Sequence, residues 1–391
     1  MLILTIVAIL GKAGFPKGCN ELAPAADSER INPLAGVTSM LGSTTILVIG
    51  FILSQVAPSY PDHTKLLIVR DQEGDEIPVV TPADWQIRRA HILAHFQEVT
   101  GPLPGGERRV LLDIKTSEII DEPGYVRKKI SFATEPGDRV GAWLFIPRGA
   151  KAKRPAMLCL HQTTKIGKDE PAGLGGKVNL RYAKELAEHG YVAIAPDYPN
   201  FGESKVDPYA LGYVSATMKG IWNHMRAVDV LTTLAEVDPD RIGVIGHSLG
   251  GHNAIFVGLF DDRIKAVVSS CGFNSFAHYY HGNIAGWSHS GYMPRLKSKY
   301  ELDLTQVPFD FPELVAALAP KAFFTNSPTR DANFAVEGVK EAIESARPVY
   351  QLLGASERLV AIHPDADHDF PEAQRQQAYE FLAKIFQKSP E

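Results

Sequence analysis

The sequence predicts an α/β protein with a mainly parallel central sheet and helices on both faces. Three observations predict it. Short, mainly apolar runs alternate with helical patterns over most of the chain. That alternation is the mark of parallel strands joined by crossover helices, in a sheet buried on both sides. One such run, Arg241–Ile245, leads directly into Gly246-His247-Ser248-Leu249-Gly250, and a helical pattern follows. A chain of 391 residues with 45% hydrophobic content is also long enough to bury one large core and carry extensions.

The elements follow in order. Residues 1–60 hold two apolar stretches, Leu2–Leu10 and Ile46–Leu53, each short of the roughly 20 residues a membrane-spanning helix needs. Both resemble the apolar part of an export signal, although neither follows a basic stretch. Met40 as the start would make Leu41–Ala57 that signal. Cys19 as a lipidated cysteine fits poorly beside Pro16 and Lys17, and an N-terminal helix packed on the domain is the alternative. The expectation is a targeting or anchor segment, with the protein exported or tethered to a membrane.

Residues 61–125 form an N-terminal extension. Thr81-Pro82-Ala83-Asp84 reads as a helix start: a capping hydroxyl, a proline at the first helical position and an acid near the positive end. Trp85, Ile92, Phe96 and Val99 follow at helical spacing, so the helix braces the main domain. The main domain runs over 126–391. Lys129–Ala133 and Val140–Ile146 read as an antiparallel pair, and Pro155–Leu160 as a buried strand. Helix Tyr182–His189, strand Tyr191–Ala195 and the long helix Tyr213–Leu234 come next. After the Arg241–Ile245 strand and its helix, Ile264–Ser269 is the sixth strand. An irregular aromatic insert, 271–312, follows it. Strand Lys321–Thr325, helix Val336–Ala346, strand Leu359–Ile362 and helix Glu372–Phe386 complete the chain.

Composition excludes some functions. The net charge of −5 with no basic block argues against nucleic acid. Cys19, Cys159 and Cys271 form neither a disulfide framework nor a zinc pattern. Gly173–Gly176 lacks the Lys-Ser/Thr ending of a phosphate loop. His278, His281 and His289 have no common zinc spacing, so neither a metal nor a cofactor is expected.

The Gly246–Gly250 pentapeptide carries the chemistry. A serine on a tight strand-to-helix turn projects its hydroxyl, and the new helix aims N–H groups at charge developing beside it. A serine hydroxyl is a weak nucleophile, so it needs a base, and the base needs an orienting group. In such a sheet these follow in the order acid, then histidine, each after a later strand. Asp331 follows Lys321–Thr325, and His368 follows Leu359–Ile362 on the loop before the last helix. His363 is the rival base; Asp365 and Asp367 are the fallback acids. The oxyanion hole needs two N–H donors: Leu249, and Thr163 or else Gln162 from the loop His161-Gln162-Thr163-Thr164.

These residues resemble the α/β-hydrolase superfamily, most closely its dienelactone hydrolase and acetyl xylan esterase-like branch. The resemblance rests on Gly246–Gly251, on Asp197–Ser204 with Asn200 in place of a glycine, on Val237–Arg241, and on His368-Asp369-Phe370. One departure is Gln162, where the family has glycine after the loop histidine. The resemblance implies the α/β-hydrolase fold and a serine carboxylic ester hydrolase: Ser248 as nucleophile, His368 as base, Asp331 as its partner. It also implies that the 271–312 insert caps the site. The insert's own rings, Phe273, Phe276, Tyr279, Tyr280, Trp287 and Tyr292, suffice to line a pocket for a small-molecule or polysaccharide-linked ester, with Phe273, Tyr280, Trp287 and Tyr292 the first candidates. A serine peptidase and a non-catalytic binding protein on the same scaffold are the alternatives. The sequence does not indicate an oligomeric state.

Overall fold

The apolar runs become strands of one sheet. The computed structural model describes residues 57–149 and 152–387, so Leu2–Leu10, Cys19, Met40 and Ile46–Leu53 lie outside the described residues. A short antiparallel pair, β1 (Ile68–Arg70) and β2 (Glu76–Pro78), comes first. The main sheet contains β3 (Lys115–Asp121), β4 (Tyr125–Glu135), β5 (Asp138–Pro147), β6 (Arg154–Leu160), β7 (Val192–Pro196), β8 (Val237–His247), β9 (Ile264–Ser270), β10 (Ala322–Asn326) and β11 (Leu359–Ile362). Their spatial order is β11-β10-β9-β8-β6-β7-β5-β4-β3. Pairing is parallel from β11 to β7 and antiparallel from β7 through β5 and β4 to β3. The fold is therefore α/β with a mainly parallel sheet.

Besides the short β1–β2 pair, one strand of the main sheet escaped the hydrophobic pattern. Lys115–Asp121 is an exposed edge strand, rich in polar residues, inside the segment expected to be an extension. An edge strand meets water along one side and needs no apolar alternation; its charges also discourage pairing with other chains. With β3 counted, the 271–312 insert follows the seventh strand of the main sheet, not the sixth.

Helices cover both faces. On one face pack α1 (Pro82–Thr100), α3 (Ala216–Thr232), α4 (Leu249–Phe260), α6 (Phe311–Ala317) and α7 (Val336–Leu352), which bury Trp85, Ile221, Phe256, Leu314 and Val339. On the other pack α2 (Tyr182–Glu188) and α8 (Glu372–Ile385), which bury Leu186 and Leu382. Strand β6 serves both cores: Leu158 and Leu160 point to the first, Met157 and Cys159 to the second. Among the described residues, no helix is long and apolar enough to cross a membrane.

Helix α1 starts with a full capping box between Thr81 and Asp84 and ends at Gly101. Its Phe96 packs on Phe256 and on Phe309 of the insert, with ring centroids 4.9 and 5.1 Å apart. Its Arg88 pairs with Glu313, and both side chains are fully buried. Within the insert lies a single short α-helical turn, α5 (Arg295–Ser298).

The insert is pinned to the start of α6 by Asp310. That carboxylate caps α6 and accepts the Phe276 N–H at 3.0 and 3.1 Å. Burial pushes its pKa up to about 7, against nearby His63 and its two N–H donors, which lower it. The folded pKa lies above the unfolded value of about 3.9. The contribution is therefore fully present below about pH 4 and lost as pH rises through 7. Asp310→Asn keeps an acceptor but cannot ionise. We expect the Tm of the variant relative to wild type to be higher at pH 7.5 than at pH 5; a gap independent of pH would show that the buried charge is not responsible.

Candidate active site

Strand β8 ends at His247 and α4 begins at Leu249, leaving Ser248 alone at the corner. Its φ is 55° and ψ −116°, a left-handed conformation for a residue with a side chain. Such strain costs roughly 1–3 kcal/mol and persists only where the surroundings enforce it. Here the Ser248 N–H donates to the Ser270 carbonyl at 2.8 Å, and the Ser248 carbonyl accepts the Gly251 N–H at 2.8 Å. The flanking glycines are a matter of space. A Cβ on Gly246 would strike the Gly250 carbonyl, and one on Gly250 would strike the Leu160 carbonyl at the end of β6. A Cβ on Gly251 would press on Gly272 and Ser270.

Two later strands deliver the partners. Asp331 lies on the loop after β10, its side chain fully buried. Its carboxylate accepts the Asn333 N–H at 2.8 Å and the Phe334 N–H at 3.1 Å, and both oxygens lie 2.9 Å from His368 Nδ1. A carboxylate there holds the proton on Nδ1 and leaves Nε2 as an acceptor. The His368 ring is held between His247, 4.8 Å away edge-on, and Phe334 at 6.0 Å. Burial drives the His247 pKa well down, so that ring is neutral and does not oppose charge on its neighbour. Ser248 and His368 line one cavity of about 340 Å³.

The rivals are placed elsewhere. Asp365 and Asp367 are exposed and pair with Arg330. His363 lies 3.1 Å from the Ser327 carbonyl and does not line the cavity. Of the insert histidines, His278 meets Ser275 and Glu341, while His289 packs on Tyr292. Among the described residues one group has metal-ligand spacing: His247, Cys271 and His368. Burial and the Asp331 carboxylate keep the Cys271 thiol protonated, and it donates to the Asp369 carbonyl at 3.4 Å. His368 Nδ1 is committed to Asp331. That donor set serves the hydrogen-bond network under His368.

The loop after β6 explains how a glutamine replaces the expected glycine. The Tyr198 N–H donates to His161 Nε2 at 2.9 Å, so the ring proton sits on Nδ1, 2.6 Å from the Gln162 carbonyl. Burial lowers the His161 pKa, so the ring is neutral, as this pairing requires. In a trans peptide the C=O and N–H point in opposite directions. With its carbonyl turned onto His161, the Gln162–Thr163 peptide turns the Thr163 N–H the other way. The Gln162 side chain is occupied, donating to Glu170 at 3.0 Å, and its backbone φ is not positive. Gln162, Thr163 and Leu249 all line the cavity. Leu249 opens α4, where N–H groups lack intrahelical acceptors.

Of the four predicted pocket rings, Trp287 and Tyr292 line the cavity. Phe273 does not: it is buried in the core against Phe311 and Phe323. Tyr280 stands just outside, half-exposed, its hydroxyl donating to Asn333 at 2.7 Å. Tyr279, another of the insert's aromatic residues, also lines the cavity, as do Asn333, Phe334 and His252, which sequence reasoning missed. Among these, His252 had a readable signal, since it lies four residues after Ser248 and so on the same helix face. It packs edge-on against Trp287 at 4.7 Å, and burial takes its pKa down to about 3. Among the described residues, neither of its ring nitrogens finds a partner of normal geometry. No lysine, arginine, aspartate or glutamate is among the lining residues.

Comparison with known proteins bears on the fold and the class of activity. The fungal glucuronyl esterase family matches residues 209–354, which span the elbow, the insert and Asp331. A glucuronoyl esterase from Solibacter usitatus superposes with a TM-score of 0.68 at 20% identity, covering 85% of this chain and 99% of that one. The chain is an esterase-type α/β-hydrolase. This hydrolase is 25% identical to the putative hydrolase YtaP of Bacillus subtilis (strain 168), over 76% of the chain and 99% of YtaP. It is 24% identical to carbohydrate esterase MZ0003 of an unknown prokaryotic organism, over 76% of the chain and 79% of that protein.

Proposed function

We propose that Ser248, His368 and Asp331 form the catalytic triad of an esterase whose substrates are uncharged esters carried on plant-polysaccharide sugars. The observation that carries this is the convergence of a strained, projecting serine and a carboxylate-bound histidine on one aromatic-walled cavity without charged side chains. His368 Nε2 takes the Ser248 proton as Oγ attacks the ester carbonyl. The Thr163 and Leu249 N–H groups receive the oxyanion, a contribution worth roughly 10²–10³ in rate per donor. The alcohol leaves with the proton from His368; water, deprotonated by the same ring, then releases the acid.

The substrate class rests on the walls. Rings of Tyr279, Trp287 and Tyr292 offer faces to a sugar, while His252 and Asn333 offer hydrogen bonds to its hydroxyls. Similar proteins include a glucuronoyl esterase and a carbohydrate esterase, which agrees with this chemistry.

The test is a panel of kcat/KM values on a p-nitrophenyl acetate, a glucuronate benzyl ester, acetylated xylan, a feruloylated sugar and short peptides. A sugar ester should lead by at least about tenfold, or about 1.4 kcal/mol of transition-state binding. A simple aryl ester leading the panel would refute the substrate class, and cleavage of peptides alone would make the protein a peptidase.

A further inference from the structure

The insert holds one aromatic side chain in a conformation that the cavity does not explain. Tyr280 (φ 44°, ψ 46°) and His281 (φ 57°, ψ 41°) are consecutive left-handed residues, followed by Gly282 at φ 88°. Each costs roughly 1–2 kcal/mol for a residue with a Cβ. The outcome of that turn is an exposed ring. Tyr280 is 51% accessible, whereas Phe273, Phe276 and Trp287 of the same insert are at most 3% accessible.

The exposed ring is also fixed. Its hydroxyl donates to Asn333 Oδ1 at 2.7 Å, and it stands perpendicular to Tyr279 with centroids 4.8 Å apart. Tyr279 and Asn333 both line the catalytic cavity, and the Asn333 N–H binds the Asp331 carboxylate. Tyr280 is thus tied to two walls of the cavity while lying outside it. A rigid, half-open aromatic face beside a cavity supplies contact area at little entropic cost to binding.

We propose that Tyr280 is a stacking platform for a second sugar ring, the one adjoining the ester-bearing unit of an oligosaccharide or polysaccharide. The apolar C–H face of a pyranose covers the exposed phenol ring, and the hydroxyl bond to Asn333 keeps that ring at the cavity mouth. This proposal rests on the sugar-ester reading of the cavity and adds to it a preference for chain-linked over monosaccharide esters.

The experiment compares kcat/KM on a xylan-linked ester and on a monosaccharide ester of the same acyl chemistry. Wild type should favour the chain-linked ester. Tyr280→Ala should reduce that preference about tenfold, chiefly through KM, while Tyr280→Phe, which keeps the ring but loses its bond to Asn333, should fall between wild type and Tyr280→Ala. Tyr280→Gly removes the ring and relieves the backbone, and should match Tyr280→Ala. Equal losses on both substrates in the Ala and Gly variants would mean that the ring only packs the insert, and would overturn the proposal. No wild-type preference for the chain-linked ester would overturn it too, with the esterase reading intact. If wild type cleaves neither sugar ester, the reading of the cavity itself falls. Calorimetric titration of Ser248→Ala protein with unesterified xylo-oligosaccharide decides the platform separately. Adding Tyr280→Ala should weaken that binding about tenfold, and unchanged affinity would overturn the proposal.

Discussion

Ser248→Ala lowers kcat on the preferred ester by roughly 10⁴–10⁶, the scale seen when a triad nucleophile is removed. The variant keeps the cavity, the Thr163 and Leu249 N–H groups and the His368–Asp331 pair. Residual turnover then comes from binding and oxyanion stabilisation, with water attacking directly. A fluorophosphonate should label wild type at Ser248 and leave the variant unlabelled. Full esterase activity in the variant would refute the assignment, because no other serine lines the cavity. The backbone gives a second readout. Alanine at φ 55° is as strained as serine, so Ser248→Ala should not gain stability from the backbone, whereas Ser248→Gly should gain about 1 kcal/mol.

Asp331→Asn should cost roughly 10⁴ in kcat with little loss of fold. The asparagine carbonyl can still accept the Asn333 and Phe334 N–H groups that shape the loop. What it cannot do is accept the His368 Nδ1 proton while its amide faces that nitrogen. His368 then takes the other tautomer, with its proton on Nε2, and cannot receive one from Ser248. Asp367→Asn is the control. That carboxylate is 81% exposed and bonded to Arg330, so its loss should leave kcat within about twofold. A larger loss for Asp367→Asn than for Asp331→Asn would reassign the acid.

How far these residues were legible depends on how local their signal is. The elbow was legible because a strand, a tight turn and a helix must be contiguous in sequence, and because glycine is forced wherever backbone comes within contact of backbone. The meeting of Asp331 with His368 was legible by chain order, since each follows a parallel strand whose carboxyl end faces the same edge of the sheet. Phe273 was not: an aromatic residue in an irregular segment packs into a core or lines a cavity with the same composition, and here Phe311 and Phe323 claim it. Strand β3 was silent because an edge strand carries no apolar alternation. Sequence alone did not say what the Gln162 side chain does; in the structure its amide donates to Glu170.

By itself the sequence determined the apolar strands of the sheet, the elbow and the chain order of Ser248, Asp331 and His368, because each of these is enforced by contacts among near neighbours or by the alternation of strand and helix. Only the tertiary structure decided which aromatic rings face the cavity, that His252 presents its ring there, and that Tyr280 stands open at the mouth. Those outcomes depend on how a segment without periodicity packs across the ends of distant strands, and no residue pattern within the segment encodes which side it presents.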